Sequence, residues 1–260
     1  MLETTSRSTF PRIRVGWFRE APPRAGWLGL AEFKQCTRTA PRLGYVRRPF
    51  STLLVDLGQT PEQLMAGFKP RTRSFVRQAE RLGAVAGVER DRAYFIRTYN
   101  AFARRRGLAT LDAGHVLARP GPALVTRVAI DGRVLAMRGY LVDREIGRAR
   151  NLVSCTAEHP PDDQETQRLI GLAHRYLVFA DMLRLREEGI ATYDFGGYAL
   201  ATSDPKLANI NRFKDSFGGS IVSEPTYVSW PLHASLAARG WLARTLRGST
   251  PGSLRHGLAP

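Results

Sequence analysis

The residues best suited to chemistry lie in one short segment near the end of the chain. Residues 193–219 read YDFGGYALATSDPKLANINRFKDSFGG, with a Phe-Gly-Gly close to each end and Lys214 just before the second. Lys214 is one of four lysines among 39 basic residues. Its ammonium could stabilise a negative charge that develops during a reaction, or bind an anionic group of a ligand. The alternative is an exposed lysine on a short helix.

An acidic residue and two glycine pairs accompany this lysine. Asp194 follows a short apolar stretch and precedes Gly196 and Gly197. Its carboxylate could orient an acceptor amine or take its proton, or it could hold the glycine turn or cap the next helix. Glycine pairs suit positive φ angles or a close approach of backbone to ligand. We therefore predict that Phe195, Gly196 and Gly197, together with Gly218 and Gly219, form the floor of a pocket.

Other reactive side chains form no recognisable constellation. Cys36 and Cys155 lie far apart and match no metal or redox spacing, and the five histidines include no pair at metal-ligand spacing. We expect two buried thiols and no metal site. No convincing Ser-His-Asp or Cys-His set is present, so an acyl transfer by this chain would proceed by direct attack of an amine, without a covalent enzyme intermediate.

The charge of the chain predicts an anionic partner. The formal net charge is +16 and the pI is about 10.9. Such a surface attracts phosphates of a nucleic acid, of a nucleotide-linked precursor or of an anionic membrane face. Arg73, Arg77 and Arg81 share one face of a helix predicted over 71–82, and like charges in a row repel one another unless an anion lies along them. The alternative is a solvated basic face.

The order of predicted elements indicates an α/β protein with a mixed sheet. Residues 1–58 read as strands and loops, either an N-terminal extension or a partial lobe. Residues 59–232 alternate helices with a β-meander that turns at Asp131-Gly132, and residues 233–260 read as a C-terminal helix and tail. This order predicts a sheet with helices on both faces.

Targeting signals are not apparent in the sequence. The N-terminal residues MLETTSRSTFPRIRVGWF contain no apolar core of a signal peptide. No apolar run approaches the roughly 20 residues that span a bilayer. We expect a cytoplasmic protein without an integral membrane segment, for which peripheral association with an anionic surface stays open.

Two motifs resemble those of a known family. RTRSFVRQAERLG resembles the Arg-x-x-(Ile/Val)-Arg-x-Ala-Glu-x-x-Gly helix of the FemAB-like transferases. GIATYDFGGY followed by INRFKDSFGG resembles their C-terminal signature. These transferases belong to the GNAT superfamily of acyltransferases. The resemblance covers about residues 50–230 and implies a GNAT fold, with one complete lobe and an N-terminal strand-rich extension or partial second lobe.

The resemblance also implies an activity and a site. Known FemAB-like members transfer an amino acid from aminoacyl-tRNA to an amine of a peptidoglycan precursor, and their Phe-Lys pair lies at the transfer site. Phe213 and Lys214 match that pair, so the resemblance implies that Lys214 stabilises the oxyanion of an acyl transfer or holds the sugar-phosphate end of the donor. The chain therefore resembles an aminoacyltransferase with tRNA as partner, an amine of an envelope precursor or small metabolite as acceptor, and no tightly bound cofactor. The arginine row would bind the donor.

Two other functions stay open. Acyl-CoA-dependent members of the superfamily grip a pyrophosphate in an Arg/Gln-x-x-Gly-x-Gly/Ala loop before a long helix. RLIGLA, with Arg168, Gly171 and Ala173, fits that pattern between a polar loop at 156–166 and a helix predicted over about 170–188. This segment favours an N-acyltransferase that uses acyl-CoA. A non-catalytic, basic nucleic-acid-binding module is the third possibility.

Overall fold

The computed structural model describes residues 2–6, 12–118, 121–157 and 163–246. Their contacts divide the chain into two compact units. The terminal unit comprises residues up to Ser51 together with those from Ser223 onward, and the central unit is Thr52–Val222. The predicted divisions were 58/59 and 232/233, with the C-terminal helix and tail as a separate third part. The predicted tail after the last helix, residues 247–260, lies outside the described residues.

Twelve strands and six α-helices are described. The strands are β1 (Glu3–Ser6), β2 (Ile13–Trp17), β3 (Ala31–Lys34), β4 (Tyr45–Arg48), β5 (Ser51–Asp56), β6 (Val85–Val88), β7 (Ala123–Ile130), β8 (Arg133–Asp143), β9 (Arg148–Thr156), β10 (Thr192–Gly197), β11 (Ser220–Ser223) and β12 (Thr226–Ser229). The helices are α1 (Pro61–Gly67), α2 (Pro70–Arg81), α3 (Arg92–Arg106), α4 (Gln164–Glu187), α5 (Pro205–Asp215) and α6 (Trp230–Leu246). None of them is long and apolar enough to cross a membrane.

The terminal unit is built on a five-stranded sheet in the order β1-β2-β3-β12-β4. Strand β12, from the C-terminal part of the chain, pairs antiparallel with both β3 and β4. Phe33, Tyr45 and Tyr227 form its aromatic core, with successive ring centroids 5.8 and 6.4 Å apart. The predicted strands of the N-terminal region thus need a distant strand to complete their sheet.

The central unit contains a seven-stranded mixed sheet in the order β11-β5-β10-β9-β8-β7-β6. β6 to β9 form an antiparallel meander, while β9 and β10 run parallel and are joined by α4. A Cβ on Gly139 would touch Phe95 of α3, whereas the adjacent Tyr140 reaches Asp181 of α4. Because successive strand residues point to opposite faces, α3 and α4 cover opposite faces of the sheet. The predicted mixed sheet with helices on both faces is confirmed.

Local sequence rules explain several element ends. Thr60 and Gln63 form the predicted capping box at the start of α1. Asp131 and Gly132 turn between β7 and β8 with φ angles of 51° and 73°, both in the left-handed region that this two-residue hairpin requires. Gly107 ends α3 with a φ of 67°. Each of these positions carries a residue type that suits its backbone conformation.

The long helix α4 begins earlier than predicted. Its first residue is Gln164, and the side chain of Asp163 caps it by accepting the N–H of Glu165. The predicted start near 170 was therefore wrong, because an aspartate cap followed by an acidic first turn already stabilises a helix at 164. Part of the predicted loop, residues 158–162, lies outside the described residues.

Candidate active site

Lys214 is buried at the end of β10. It lies on α5 with 6% of its surface exposed. Its Nζ donates to the carbonyl oxygen of Gly197 and, at 3.3 Å, to that of Gly196. Burial lowers the pKa of Lys214 to about 8, with Asp194 raising it and Arg150 and Arg138 lowering it further. The group is still mainly an ammonium at neutral pH, so it is a buried positive charge.

The first glycine pair makes this arrangement possible. Gly196 has a φ of 74°, and a Cβ there would lie 2.8 Å from the main-chain oxygen of Asn151. A side chain would therefore be strained both by the backbone conformation and by the neighbouring strand. Glycine at 196 allows β10 to turn so that two successive carbonyl groups face Lys214.

Asp194 is fully buried and makes several hydrogen bonds. Its carboxylate accepts Nη2 of Arg148 at 2.6 Å, Nε of Arg148 at 3.1 Å and the N–H of Gly196 at 2.7 Å. The hydroxyl of Thr52 also donates to it. Through these contacts Asp194 holds the glycine turn, which is one of the roles predicted for it. Its negative charge also favours the ammonium form of Lys214.

A column of alternating arginine and phenylalanine side chains adjoins Lys214. Arg71 lies 5.3 Å from the ring centre of Phe75, and Arg175 lies 4.9 Å from the same ring. Arg175 and Arg138 lie 5.4 and 5.8 Å from the ring centre of Phe213. We refer to these five residues as the arginine–phenylalanine stack. Cation–π attraction holds such a column together, although its three like charges repel one another.

The guanidinium groups of the stack are not fully hydrogen-bonded. Within the described part of the chain, Nε of Arg138 and Nε of Arg175 are buried and make no hydrogen bond. Burial and the charge of Arg71 lower the pKa of Arg175, and burial with the charges of Arg138 and Arg175 lowers the pKa of His174 to about 3. His174 is therefore neutral. Guanidinium groups that keep an unused N–H, beside a neutral histidine, favour binding of an anion.

A buried polar network lies behind the stack. The hydroxyl of Tyr140 donates to Asp181 at 2.5 Å and lies 3.1 Å from that of Tyr193, and Thr126 donates to Asp181 at 2.9 Å. Burial raises the pKa of Asp181 to about 6. The charge of Asp181 in turn favours the charged form of Arg138. This network therefore helps to fix Arg138 under the ring of Phe213.

The predicted arginine row on α2 does not act as a unit. Arg73 donates to the main-chain oxygen atoms of Ala66 (3.1 Å) and Phe68, and so it completes the end of α1. Arg77 and Arg81 are exposed. Arg71, two residues before the first arginine of the row, is the α2 arginine that enters the stack.

The predicted pyrophosphate loop is part of a helix. Arg168, Gly171 and Ala173 lie inside α4, where backbone N–H groups bond within the helix. Ala173 is completely buried, and Arg168 pairs with Glu165 at 2.7 and 2.8 Å. The interpretation of RLIGLA as a phosphate-binding loop was wrong, because the preceding residues already form the first turn of the helix.

The predicted pocket floor divides between two places. Gly218 and Gly219 line a cleft of about 550 Å³ beside β5 and the beginning of β10. Phe195 is buried in the core of the central unit, and Gly196 and Gly197 face Lys214 at the end of β10. In Gly219 a Cβ would lie 2.3 Å from the main-chain oxygen of Leu54. The first glycine pair thus allows a close approach to the backbone of Asn151, and the second allows one to the backbone of Leu54.

Sequence reasoning did not identify four arginines of the central unit as site residues. Arg138 lies on β8, Arg148 and Arg150 lie on β9, and Arg175 lies on α4. All of them are buried or half-buried, although arginine is usually exposed. Arg148 and Arg150 alternate along their strand with buried apolar residues, a pattern that also suits an ordinary solvent-facing side of a sheet. No sequence signal distinguished them from the many other arginines.

The meander, the α4 crossover and the parallel β9–β10 pair define a GNAT-like fold. Among solved structures, FemX matches 76% of this chain and 65% of its own, with a TM-score of 0.57 and 14% identity. The C-terminal DUF2156 domain of an Agrobacterium fabrum protein assigned as a lysylphosphatidylglycerol synthetase matches 93% of this chain and 85% of its own (TM-score 0.56, 16% identity). L-PGS from Bacillus licheniformis matches 81% of this chain and 72% of its own (TM-score 0.51, 16% identity).

These similarities confirm the predicted fold. The chain has the fold of FemX, as its FemAB-like motifs indicated, and it shares this fold with the lysylphosphatidylglycerol synthetase domain. The identities of 14% and 16% are too low for the likeness to show more than the fold. The match spans less than two thirds of the length of FemX. No family model and no curated protein matches the sequence.

Proposed function

We propose that the protein is an acyltransferase that moves an aminoacyl group from aminoacyl-tRNA to an amine of an envelope precursor or small metabolite. The observation that carries this proposal is the position of Lys214, a buried ammonium held by the carbonyl groups of Gly196 and Gly197. A buried ammonium beside Arg138 and Arg150 suits the stabilisation of a developing negative charge.

The chemistry requires no covalent enzyme intermediate. A neutral acceptor amine attacks the carbonyl carbon of the aminoacyl ester, the C–N bond forms and the ester C–O bond breaks. The leaving 3′ oxygen of the tRNA takes up the proton that the amine loses. Two hydrogen bonds of Lys214 are used by main-chain oxygens, which leaves one N–H for the carbonyl oxygen of the ester. Asp194 and Thr52 act through the glycine turn and position this lysine.

The donor would bind along the arginine–phenylalanine stack. Arg138 and Phe213 adjoin Lys214, so phosphates and the terminal sugar of a tRNA would lie next to the transferring ester. Exposed Arg77 and Arg81 would extend the electrostatic attraction along α2. The match to a domain assigned as a lysylphosphatidylglycerol synthetase, an enzyme named for an aminoacylated product, supports an aminoacyl group as the transferred unit.

The acyl-CoA alternative has lost the feature that favoured it. The segment proposed for pyrophosphate lies within α4, and the helix begins with the carboxylates of Asp163 and Glu165. Negative charge at a helix N-terminus occupies the position where a pyrophosphate would bind. An aminoacyl-tRNA donor is therefore the proposal that we put forward.

The test is a transfer assay with a matched pair of lysine variants. Purified protein is incubated with bulk aminoacylated tRNA and a panel of amines, and amide products are followed by mass spectrometry. Lys214→Met should reduce turnover about 100- to 1000-fold, as the loss of one oxyanion donor does. Lys206→Met, an exposed lysine on the same helix, is the control and should leave turnover unchanged.

Two results would contradict this function. One is normal turnover by a folded Lys214→Met variant. The other is thermal stabilisation by acetyl-CoA that persists at high salt, together with no effect of tRNA, because a specific ligand raises stability by mass action. Salt-sensitive tRNA binding without turnover of any amine would instead favour the nucleic-acid-binding module.

A further inference from the structure

The terminal unit carries two exposed leucines and two tryptophans on chain segments that contact one another. Leu43 is 79% exposed, Leu28 is 70% exposed and Trp230 is 49% exposed. The ring of Trp27 lies beside that of Trp230, with centroids 6.0 Å apart. We refer to these four residues as the tryptophan–leucine patch. Clustered large apolar side chains on a surface indicate a binding site.

Hydrogen bonds and close packing hold the patch in place. The N–H of Trp230 donates to the main-chain oxygen of Gly44 at 3.0 Å, and Ser229 Oγ donates to that of Gly29 at 2.7 Å. Gly44 has a φ of 84°, and a Cβ there would lie 2.2 Å from Trp27 Cγ. The segments around residues 27–29, 43–44 and 229–230 are therefore held together by hydrogen bonds and packing. The exposed leucines belong to the first two of these segments.

The surroundings of the patch are basic. Residues 21–31, 37–50 and 225–246, which supply the patch, contain no aspartate or glutamate. Glu32, which follows the first of these segments, forms an ion pair with Lys34 at 3.4 Å. The same segments carry exposed Arg24, Arg47 and Arg48 and half-buried Arg42. The segments that carry the patch therefore bear a net positive charge.

We propose that this patch docks the terminal unit on an anionic lipid surface. Tryptophan rings favour the interface between headgroups and acyl chains, and leucines can enter the acyl boundary. The arginines would contact lipid phosphates. This proposal concerns a different surface from the proposed transfer site and stands independently of the transfer reaction.

Other occupants fit less well. A nucleic acid could contact the arginines and tryptophans, but it offers no hydrocarbon in which Leu28 and Leu43 would be buried. A second copy related by a two-fold axis would bring the same arginines face to face. A lipid leaflet offers both the apolar layer and the negative charge.

Vesicle co-sedimentation of the full chain tests the proposal. We expect binding to vesicles of mixed phosphatidylcholine and phosphatidylglycerol, weak binding to pure phosphatidylcholine, and a blue shift of tryptophan emission on binding. The double variant Leu28→Ser/Leu43→Ser should weaken partitioning by about tenfold or more. Arg24→Gln and Arg48→Gln should each weaken it about fivefold.

Matched controls separate the patch from general charge and apolarity. Leu200→Ser removes a leucine that is 60% exposed in the central unit, and Arg81→Gln removes an exposed arginine there. Both should bind vesicles as the unchanged protein does, and all variants should keep its thermal unfolding midpoint. Failure of the unchanged protein to bind anionic vesicles would overturn the proposal. So would vesicle binding unaffected by the double leucine change, or conversion of a dimer to a monomer by that change alone.

Discussion

The ammonium of Lys214 is bonded to the main-chain carbonyl of Gly197, seventeen residues earlier in the chain. This contact joins α5 to the end of β10 and places a buried positive charge where the strand turns. A second bond, to Gly196, reaches the neighbouring carbonyl. The interaction explains why a lysine and a glycine pair occur together in this segment. It also makes the site sensitive to changes in pH and backbone geometry.

The charge of Lys214 should give stability a specific pH dependence. Its pKa is about 8 in the folded chain, against 10.5 for a free lysine. Between these values the unfolded chain binds the additional proton, so the contribution of Lys214 to the free energy of unfolding rises as pH increases from 8 to 10.5. At pH 8 and below the folded state carries the full cost of the buried charge, on the order of 3 kcal/mol.

Urea denaturation of the unchanged protein and of Lys214→Met across this range measures the effect. The stability of the variant relative to the unchanged protein should decrease as pH rises, by an amount on the order of 3 kcal/mol. Lys206→Met, which removes an exposed lysine of the same helix, should show no such trend. A pH-independent difference between Lys214→Met and the unchanged protein would mean that the lysine is not buried as a charge.

Breaking the ion pair of Asp194 should be costly. Asp194→Asn leaves the buried guanidinium of Arg148 without its partner carboxylate, and removal of one member of a buried pair typically costs about 3–5 kcal/mol. Chemical denaturation provides the measurement. The double variant Asp194→Asn/Arg148→Met should lose less than the sum of the two single changes. Additive losses would show that the two side chains do not interact.

Gly196→Ala should destabilise the chain more than a matched glycine change. Gly196 and Gly83 have similar φ angles of 74° and 68°, but a Cβ at 196 meets the oxygen of Asn151 while one at 83 meets nothing within 4 Å. Gly83→Ala should lower the free energy of unfolding by about 1–2 kcal/mol, because alanine is strained in the left-handed conformation. Gly196→Ala should cost clearly more and should also reduce turnover. Equal costs in thermal and urea unfolding would contradict the close contact.

The stack should contribute to the salt dependence of tRNA binding. Arg175→Gln removes a guanidinium that lies between two phenylalanine rings, and it should reduce the slope of log affinity against log salt by about 0.7. Arg168, on the same helix, is exposed and paired with Glu165. The variant Arg168→Gln should therefore keep the salt slope of the unchanged protein. Filter binding at several salt concentrations supplies both slopes. Identical slopes for the two variants would remove Arg175 from the donor site.

Local rules predicted much of the fold because they depend on neighbouring residues. The capping box at Thr60 and the turn at Asp131-Gly132 follow from side chains a few positions apart. The mixed sheet followed from the order of such elements. The predicted start of α4 was too late because two signals compete in this segment. The side chain of Asp163 caps a helix, whereas the motif that begins at Arg168, five residues later, resembles a loop.

The sequence by itself determined the basic character of the chain, the Phe213-Lys214 motif and the glycine pairs. Only the tertiary structure decided that Lys214 faces the first glycine pair, that Asp194 binds Arg148 and that Arg138 and Arg175 enclose Phe213. Arg138 and Phe213 are 75 residues apart, and their contact depends on strand register and helix packing rather than on any local preference. Burial, which changes the pKa of Lys214, arises from the same long-range packing.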